Sequence, residues 1–404
     1  MIEKQELAAL AVLAPFFLFP PVGRPLLTVI LLLPCVWIFA AVRRESILPR
    51  TELNGSLALL VVMVLVSLFA TYDVLFSAPK VLGVVFGIVL FFAIVRAIRG
   101  RATLENALDL FSLAGAALAI VGLLGTNWID KMPLLRGVTA HLPAVIRGVP
   151  GQTEGFQPNA IAGALVMFLP LQFALCIASS ARRPLHVAAF AISSFTFLLT
   201  QSRGGHLSLF AGVITWALWA GRRSRLAAIA TVLLLAVLAA GLHDRLQPLL
   251  NEQVGSGVAA DVPSRIEMWS RAVRIIGDFP ITGIGMNTFR RVMPAMYPVF
   301  LTPPEIDVAH AHNHLLQVAL DLGIPGLIAF LAVWFGAASL LTRTYRVAPD
   351  AWLRWIAGGA AAGMIAYFAF GTVDAIALGA KVGIFFWIAL ALIVSLHKVA
   401  EQPA

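Results

Sequence analysis

Charge is what this sequence has least of. Only 12% of its 404 residues are Asp, Glu, Lys or Arg, where roughly a quarter is usual. Acidic residues are the scarcer kind, 20 against 29 basic, which leaves a net charge of +9. Of the two cysteines, Cys35 and Cys176, each lies inside an apolar stretch. They imply no disulfide framework and are expected to act as small buried hydrophobes. The chain shows no internal repeat, no low-complexity tract and no appended soluble domain. What is present is apolar: 60% of residues are hydrophobic and the mean hydropathy is +0.91. A water-soluble fold cannot bury that fraction, so the composition describes a polytopic membrane protein. The basic balance would suggest nucleic acid in a soluble protein. Here loop arginines at a membrane surface account for it, and no nucleic-acid partner is expected. Met1-Ile2-Glu3-Lys4 runs into an apolar stretch without a small-residue cleavage site, which reads as an uncleaved first helix.

A helix needs about 20 apolar residues to cross a bilayer. Candidate spans are 6–21, 25–42, 55–71, 80–98, 104–126, 159–180, 185–200, 205–221, 226–242, 313–341, 352–372 and 378–396. Lysine and arginine set the orientation. Arg43 and Arg44, then Arg96, Arg99 and Arg101, then Arg182 and Arg183, then Arg222, Arg223 and Arg225, then Arg343 and Arg346 fall in alternate loops, and Lys4 and Lys398 share their side. Both termini are therefore expected in the cytoplasm, with 127–158, 201–204 and 243–311 facing out. The expected fold is all-α: about twelve transmembrane helices in one membrane domain over 1–404. A large helical segment, 243–311, lies outside between the ninth and tenth spans, and a smaller outer loop covers 127–158.

The outer side carries the residues capable of chemistry. Arg203 follows an apolar helix in Thr200-Gln201-Ser202-Arg203-Gly204-Gly205. A boundary arginine is ordinarily a snorkelling anchor, but this one lies away from the cytoplasmic cluster, and the paired glycines allow close approach to backbone. Arg265 follows Ser264, which reads as an N-cap with Glu267 completing a capping box, in a helix whose apolar stripe is Ile266, Trp269 and Val273. An arginine at a helix N-terminus suits phosphate; pairing with Glu267 or Asp261 is an equal alternative. That helix is expected to lie on the membrane surface. The outer arginines, Arg291 among them, are either solvated helix faces or part of a cradle for an anion. His310-Ala311-His312-Asn313-His314 suggests a metal, but no nearby carboxylate or cysteine completes a tetrahedral set. The other reading is a single base, His312, with Asn313 orienting its ring. Asn159 opens the sixth span as an N-cap with access to a polar ligand. Asp374, between the last two spans, is a candidate partner for an arginine or a simple loop residue.

Four stretches together resemble the O-antigen ligase and polymerase superfamily of bacterial envelope proteins. They are Gln157-Pro158-Asn159-Ala160-Ile161-Ala162-Gly163; Thr200-Gln201-Ser202-Arg203-Gly204-Gly205; Arg265-Ile266-Glu267-Met268-Trp269 running on to Phe279-Pro280-Ile281-Thr282-Gly283-Ile284-Gly285; and His312-Asn313-His314-Leu315-Leu316 continuing to Asp321-Leu322-Gly323-Ile324-Pro325-Gly326. The resemblance implies an enzyme of the bacterial inner membrane with a periplasmic site. It would move a glycan from undecaprenyl diphosphate to an acceptor hydroxyl, without metal, cofactor or nucleotide sugar. Arg203 and Arg265 would bind the diphosphate and His312 would be the base, with Arg291, Asn313 and Asn159 as further contacts. For an O-antigen ligase the acceptor is lipid A–core oligosaccharide, and membrane lipids complete the partners. A polymerase of the same superfamily is the second reading; Arg274 and Gly285 have a spacing associated with polymerases, a match near chance here. A protein-O-oligosaccharyltransferase would carry extra soluble sequence after the last span, whereas eight residues follow 396. A transporter of lipid-linked glycans would place charges deep in its helices, whereas Lys80 and Lys381 lie near span ends.

Overall fold

A computed structural model describes residues 2–18, 48–128, 133–142, 145–147, 155–241, 262–303 and 306–402. The helices are α1 (Ile2–Leu18), α2 (Asn54–Ala70), α3 (Val74–Ala97), α4 (Arg101–Gly125), α5 (Pro133–Thr139), α6 (Pro158–Ala178) and α7 (Arg183–Leu199). They continue as α8 (Arg203–Trp219), α9 (Arg222–Gly241), α10 (Val262–Asp278), α11 (Phe289–Met296), α12 (His314–Val347), α13 (Ala351–Gly371) and α14 (Ile384–Ala400), the last entered by a 3-10 turn at Lys381–Gly383. Among the described residues there is no strand, only an isolated bridge between Thr126 and Phe156. Every predicted span falls on a helix except 25–42, which lies outside the described residues, as do 243–261 with Arg245. Among the described residues six helices are long and apolar enough to cross a membrane: α3, α4, α6, α12, α13 and α14 with its leading turn. The chain is a multi-pass membrane protein.

The described chain forms two compact units. One comprises residues 1–111, 266–353 and 371–404; the other comprises 112–265 and 354–370. In the second unit α6 packs on α7 and α8, and α8 on α9. Small residues on α13 bring helix backbones together there: a side chain at Gly359 would strike the carbonyl of Pro170, and Gly212 on α8 meets Ala362. Such close approach is how membrane helices associate without a hydrophobic driving force.

In the first unit α3 packs on α1 and α14, α12 on α2 and α14. Asp73 caps α3, its side chain accepting from the amides of Leu75 (2.9 Å) and Phe76 (3.1 Å). Arg96, near the other end, forms a buried ion pair with Glu6 of α1. The two ends of α3 keep different company. Beside its C-terminal end, the Gln402 side chain donates to the carbonyl of Arg99 (3.1 Å), and Arg101 pairs with Asp350 between α12 and α13. Near its N-terminal end, Asn287 donates to the carbonyl of Phe76 (3.0 Å), and Gly285 abuts Thr71.

Helix α10 departs from expectation in two ways. It begins at Val262, so the buried Ser264 lies inside the first turn and is not the cap. Glu267 closes no capping box; its two oxygens accept from the amides of Phe300 and Leu301, each at 2.9 Å. The stripe that packs is Met268, Ala272 and Ile275, joined by Phe289 and Met293 of α11 and by Leu320. Ile266 and Val273 are exposed. The helix thus buries Met268, Ala272 and Ile275 against protein and leaves Ile266 and Val273 uncovered.

Helix α12 is two helices joined across a kink. Gly323 interrupts it with φ +70° and ψ 179°. The break releases backbone groups that the 280–284 turn satisfies: the amide of Ile324 donates to the carbonyl of Pro280 (2.7 Å), and that of Ile284 to Leu320 (2.8 Å). Gly283, at φ +65°, fits against Leu320, whose carbonyl would lie 2.5 Å from any Cβ placed there. Two of the motifs, Phe279–Gly285 and Asp321–Gly326, therefore exist to dock on one another.

Candidate functional site

The site in the first unit is built around the turn that opens α12. Asn313 caps that helix, its Oδ1 accepting from the amide of Leu316 (3.1 Å). Its Nδ2 donates to the carbonyl of Thr372 (3.0 Å). The residue before it, His312, has φ +48°, a left-handed conformation that costs about 1–2 kcal/mol for a residue with a Cβ. Neighbours hold the strain in place. The amide of Ala311 donates to Gln317 Oε1 (2.9 Å), and Trp269 Nε1 of α10 donates to the carbonyl of Ala311 (2.9 Å). Gln317 is itself fixed, Nε2 donating to Asp321 Oδ1 (2.9 Å).

This backbone aims the His312 ring at Asp374. Nδ1 lies 3.0 Å from Asp374 Oδ1, which also accepts from the amide of Ala375 (2.8 Å). Burial disfavours the Asp374 carboxylate, but the hydrogen bond and charge of His312, the charge of His310 and the Ala375 amide outweigh it and hold the group down to about 2. An ionised acceptor fixes the proton on Nδ1, which leaves a lone pair on Nε2. The arrangement fixes the orientation of the His312 ring. The ring orientation comes from Asp374, not from Asn313, whose side chain serves the helix and Thr372. His310 stacks edge-on against His312, ring centroids 4.4 Å apart. Burial, then the adjacent His312, push its imidazole down to about 3, so it stays neutral.

His310, His312 and Asp374 place one ligand atom each within 4.8 Å of one another. The carboxylate that was missing near the histidines in sequence is thus supplied by the α13–α14 loop. Two nitrogens and an oxygen are a donor set that zinc accepts. Against a cation stand two others: the charges of Lys80 and Arg290 both reach His310. Arg290 pairs with the exposed Asp307 at 3.5 Å. Its neighbour Arg291 holds the guanidinium 5.8 Å from the ring centre of Phe76.

The remaining candidates belong to the second unit. Arg203 is the first residue of α8 and is exposed. Ser202 caps that helix, accepting from the amide of Gly205 (3.2 Å). His206 Nδ1 lies 2.6 Å from the Ser202 carbonyl oxygen, and Gln201 bends through φ +50°. Arg203 is therefore presented by a tightly built turn at a helix N-terminus. Asn159 is half-buried in the first turn of α6, but the cap position belongs to Gln157, with Pro158 opening the helix. Arg265 is half-buried in the first turn of α10. The geometry thus joins His312, Asn313, His310 and Asp374 in one cluster, and it sets Arg203 at a capped helix start of its own unit.

No curated protein matches the chain. A family model described as O-antigen ligase matches residues 188–331. That stretch carries Arg203, Arg265, Arg291, His312 and Asn313.

Proposed function

We propose that this protein is an O-antigen ligase with twelve spans and a periplasmic site, transferring a glycan from undecaprenyl diphosphate to a hydroxyl of lipid A–core oligosaccharide. The observation that carries the reading is the His312–Asp374 pair at 3.0 Å, whose histidine lies inside the matched stretch. His312 Nε2 takes the acceptor proton as the acceptor oxygen bonds to the anomeric carbon. The bond from that carbon to the diphosphate breaks, and its electron pair leaves on undecaprenyl diphosphate. Arg203 and Arg265 stabilise the charge growing on that leaving group. Direct displacement inverts the anomeric carbon, and no metal takes part.

The test is transfer by the purified, reconstituted chain with donor, acceptor and chelator. We expect glycan on lipid A–core, and His312→Ala to lower the rate by about 10²–10⁴-fold while the protein stays folded. Transfer near the wild-type rate in that variant ends the role of the base. Product found as a longer lipid-linked chain would make the protein a polymerase.

A further inference from the structure

The ligand atoms of His310, His312 and Asp374 lie within 4.8 Å of one another, and the His312–Asp374 contact is 3.0 Å. In a tetrahedral zinc site the ligand atoms are about 3.4 Å apart, a difference that small side-chain rotations close. The frame beneath them is fixed. The two histidines flank Ala311, whose amide and carbonyl are held by Gln317 and Trp269 at 2.9 Å each. Asp374 follows Thr372, which Asn313 ties to the same turn. Donors placed in advance lose little freedom when an ion arrives.

Each residue also keeps a ligand position in reserve. Asp374 uses Oδ1 for His312 and for the amide of Ala375, and among the described residues nothing hydrogen-bonds Oδ2. His312 uses only Nδ1. His310 Nδ1 accepts from the amide of His312 at 3.3 Å, a long bond that is easily given up. The side chains of His312 and Asp374 are 23% and 12% exposed, so an ion in solution can reach them. The donor set selects the ion. Magnesium and calcium need six or more oxygens and find one carboxylate. Zinc binds two imidazoles and a carboxylate well. The positive charges of Lys80 and Arg290 oppose every cation alike, and the two nitrogen bonds are what zinc has to set against them.

We propose that His310, His312 and Asp374 form a site for a zinc-class divalent ion, and that its occupation switches the base off. The switch rests on the reading of His312 as the base; the binding does not. An ion on Nε2 takes the lone pair that would accept the acceptor's proton. An ion on Nδ1 displaces the proton there, and a neutral ring so bound carries its proton on Nε2, which becomes a donor. Both placements leave the ring without a nitrogen that can take a proton.

Cobalt(II) and zinc(II) added to the full-length purified protein test the site without a transfer assay. We expect one ion per chain, the visible absorption of four-coordinate cobalt, and its loss when zinc displaces the cobalt. His310→Ala and Asp374→Asn should each weaken zinc binding at least ten-fold, while His206→Asn leaves it unchanged. Asp374→Asn keeps the side chain's size and answers the question even if His310→Ala fails to fold. Zinc should also raise the melting temperature of the wild type more than that of either variant. Zinc binding that both variants leave intact, or no binding at all, overturns the site. In the transfer assay zinc should inhibit the wild type, chelator should reverse the inhibition, and His310→Ala should need at least ten-fold more zinc for the same effect. Bound zinc that leaves transfer unchanged, or raises it, overturns the switch. A chain that binds zinc through His310 and Asp374 but transfers no glycan under any condition sinks the ligase reading and the switch with it, and leaves the metal site standing.

Discussion

His312 meets a carboxylate 62 positions further along the chain. The oxygen at 3.0 Å decides which nitrogen carries the proton, and so whether Nε2 is a base or a donor. Asn at position 374 keeps the size and the loop contact but can present an N–H to Nδ1, which reverses the tautomer. Asp374→Asn should therefore lower kcat by about 10²–10⁴-fold with the acceptor KM little changed. A variant that instead loses substrate affinity at full kcat would make Asp374 a binding residue. Since the carboxyl stays ionised down to about 2, an acid limb in the rate profile near neutral pH would not come from Asp374. Three histidines in five residues made this place visible in the sequence. Asp374 was visible too, as an outer loop acid, but nothing in spacing could pair it with His312. Asn313 ties the start of α12 to Thr372, two residues before the acid, and so brings the two together.

Elements were read well where hydropathy alone decides and poorly where one turn decides. A span of apolar residues announces a helix, and those helices are present. Cap positions shift by a residue or two with local backbone geometry, which is why Ser264 and Asn159 sit inside first turns and not before them. On α10 the period of 3.6 allowed two stripes. Ile266, Trp269 and Val273 had the larger side chains, but Met268, Ala272 and Ile275 face the core, because α11 and Leu320 pack there. The break in α12 had a sequence signal, Asp321-Leu322-Gly323-Ile324-Pro325-Gly326, whose meaning came only with its partner turn. Gly323 needs φ +70°, and a Cβ there would press on the Ile281 carbonyl. Gly323→Ala should destabilise the protein by at least about 1–2 kcal/mol from backbone strain alone, with the contact added. It should also displace Gln317 and Asp321, and with them the His312 turn. The melting temperature and the rate should fall together; a stable variant with normal transfer would show that the docked turns do not position the base.

At the scale of the molecule the question is which side of the membrane His312 faces. Helix α3 has 24 residues, about 36 Å at 1.5 Å per residue, enough to cross the hydrocarbon core. Its C-terminal end keeps Arg96, Arg99 and Arg101 beside Gln402 and Asp350. Its N-terminal end keeps Phe76 beside Asn287, with Lys80 one turn on and within electrostatic reach of His310. The loop of Arg99 and Arg101 and the His312 turn are therefore at opposite ends of one membrane-spanning helix. If excess Lys and Arg mark the cytoplasmic side, the base faces outward, where a lipid-linked glycan is presented. In a Cys35→Ala/Cys176→Ala background, a cysteine replacing the exposed Ser270 on α10 should react with a membrane-impermeant maleimide in intact spheroplasts. A cysteine replacing Gln402 should react only after lysis. The reverse pattern would put His312 in the cytosol, away from any periplasmic donor, and the proposed reaction would fail whatever the geometry of its base.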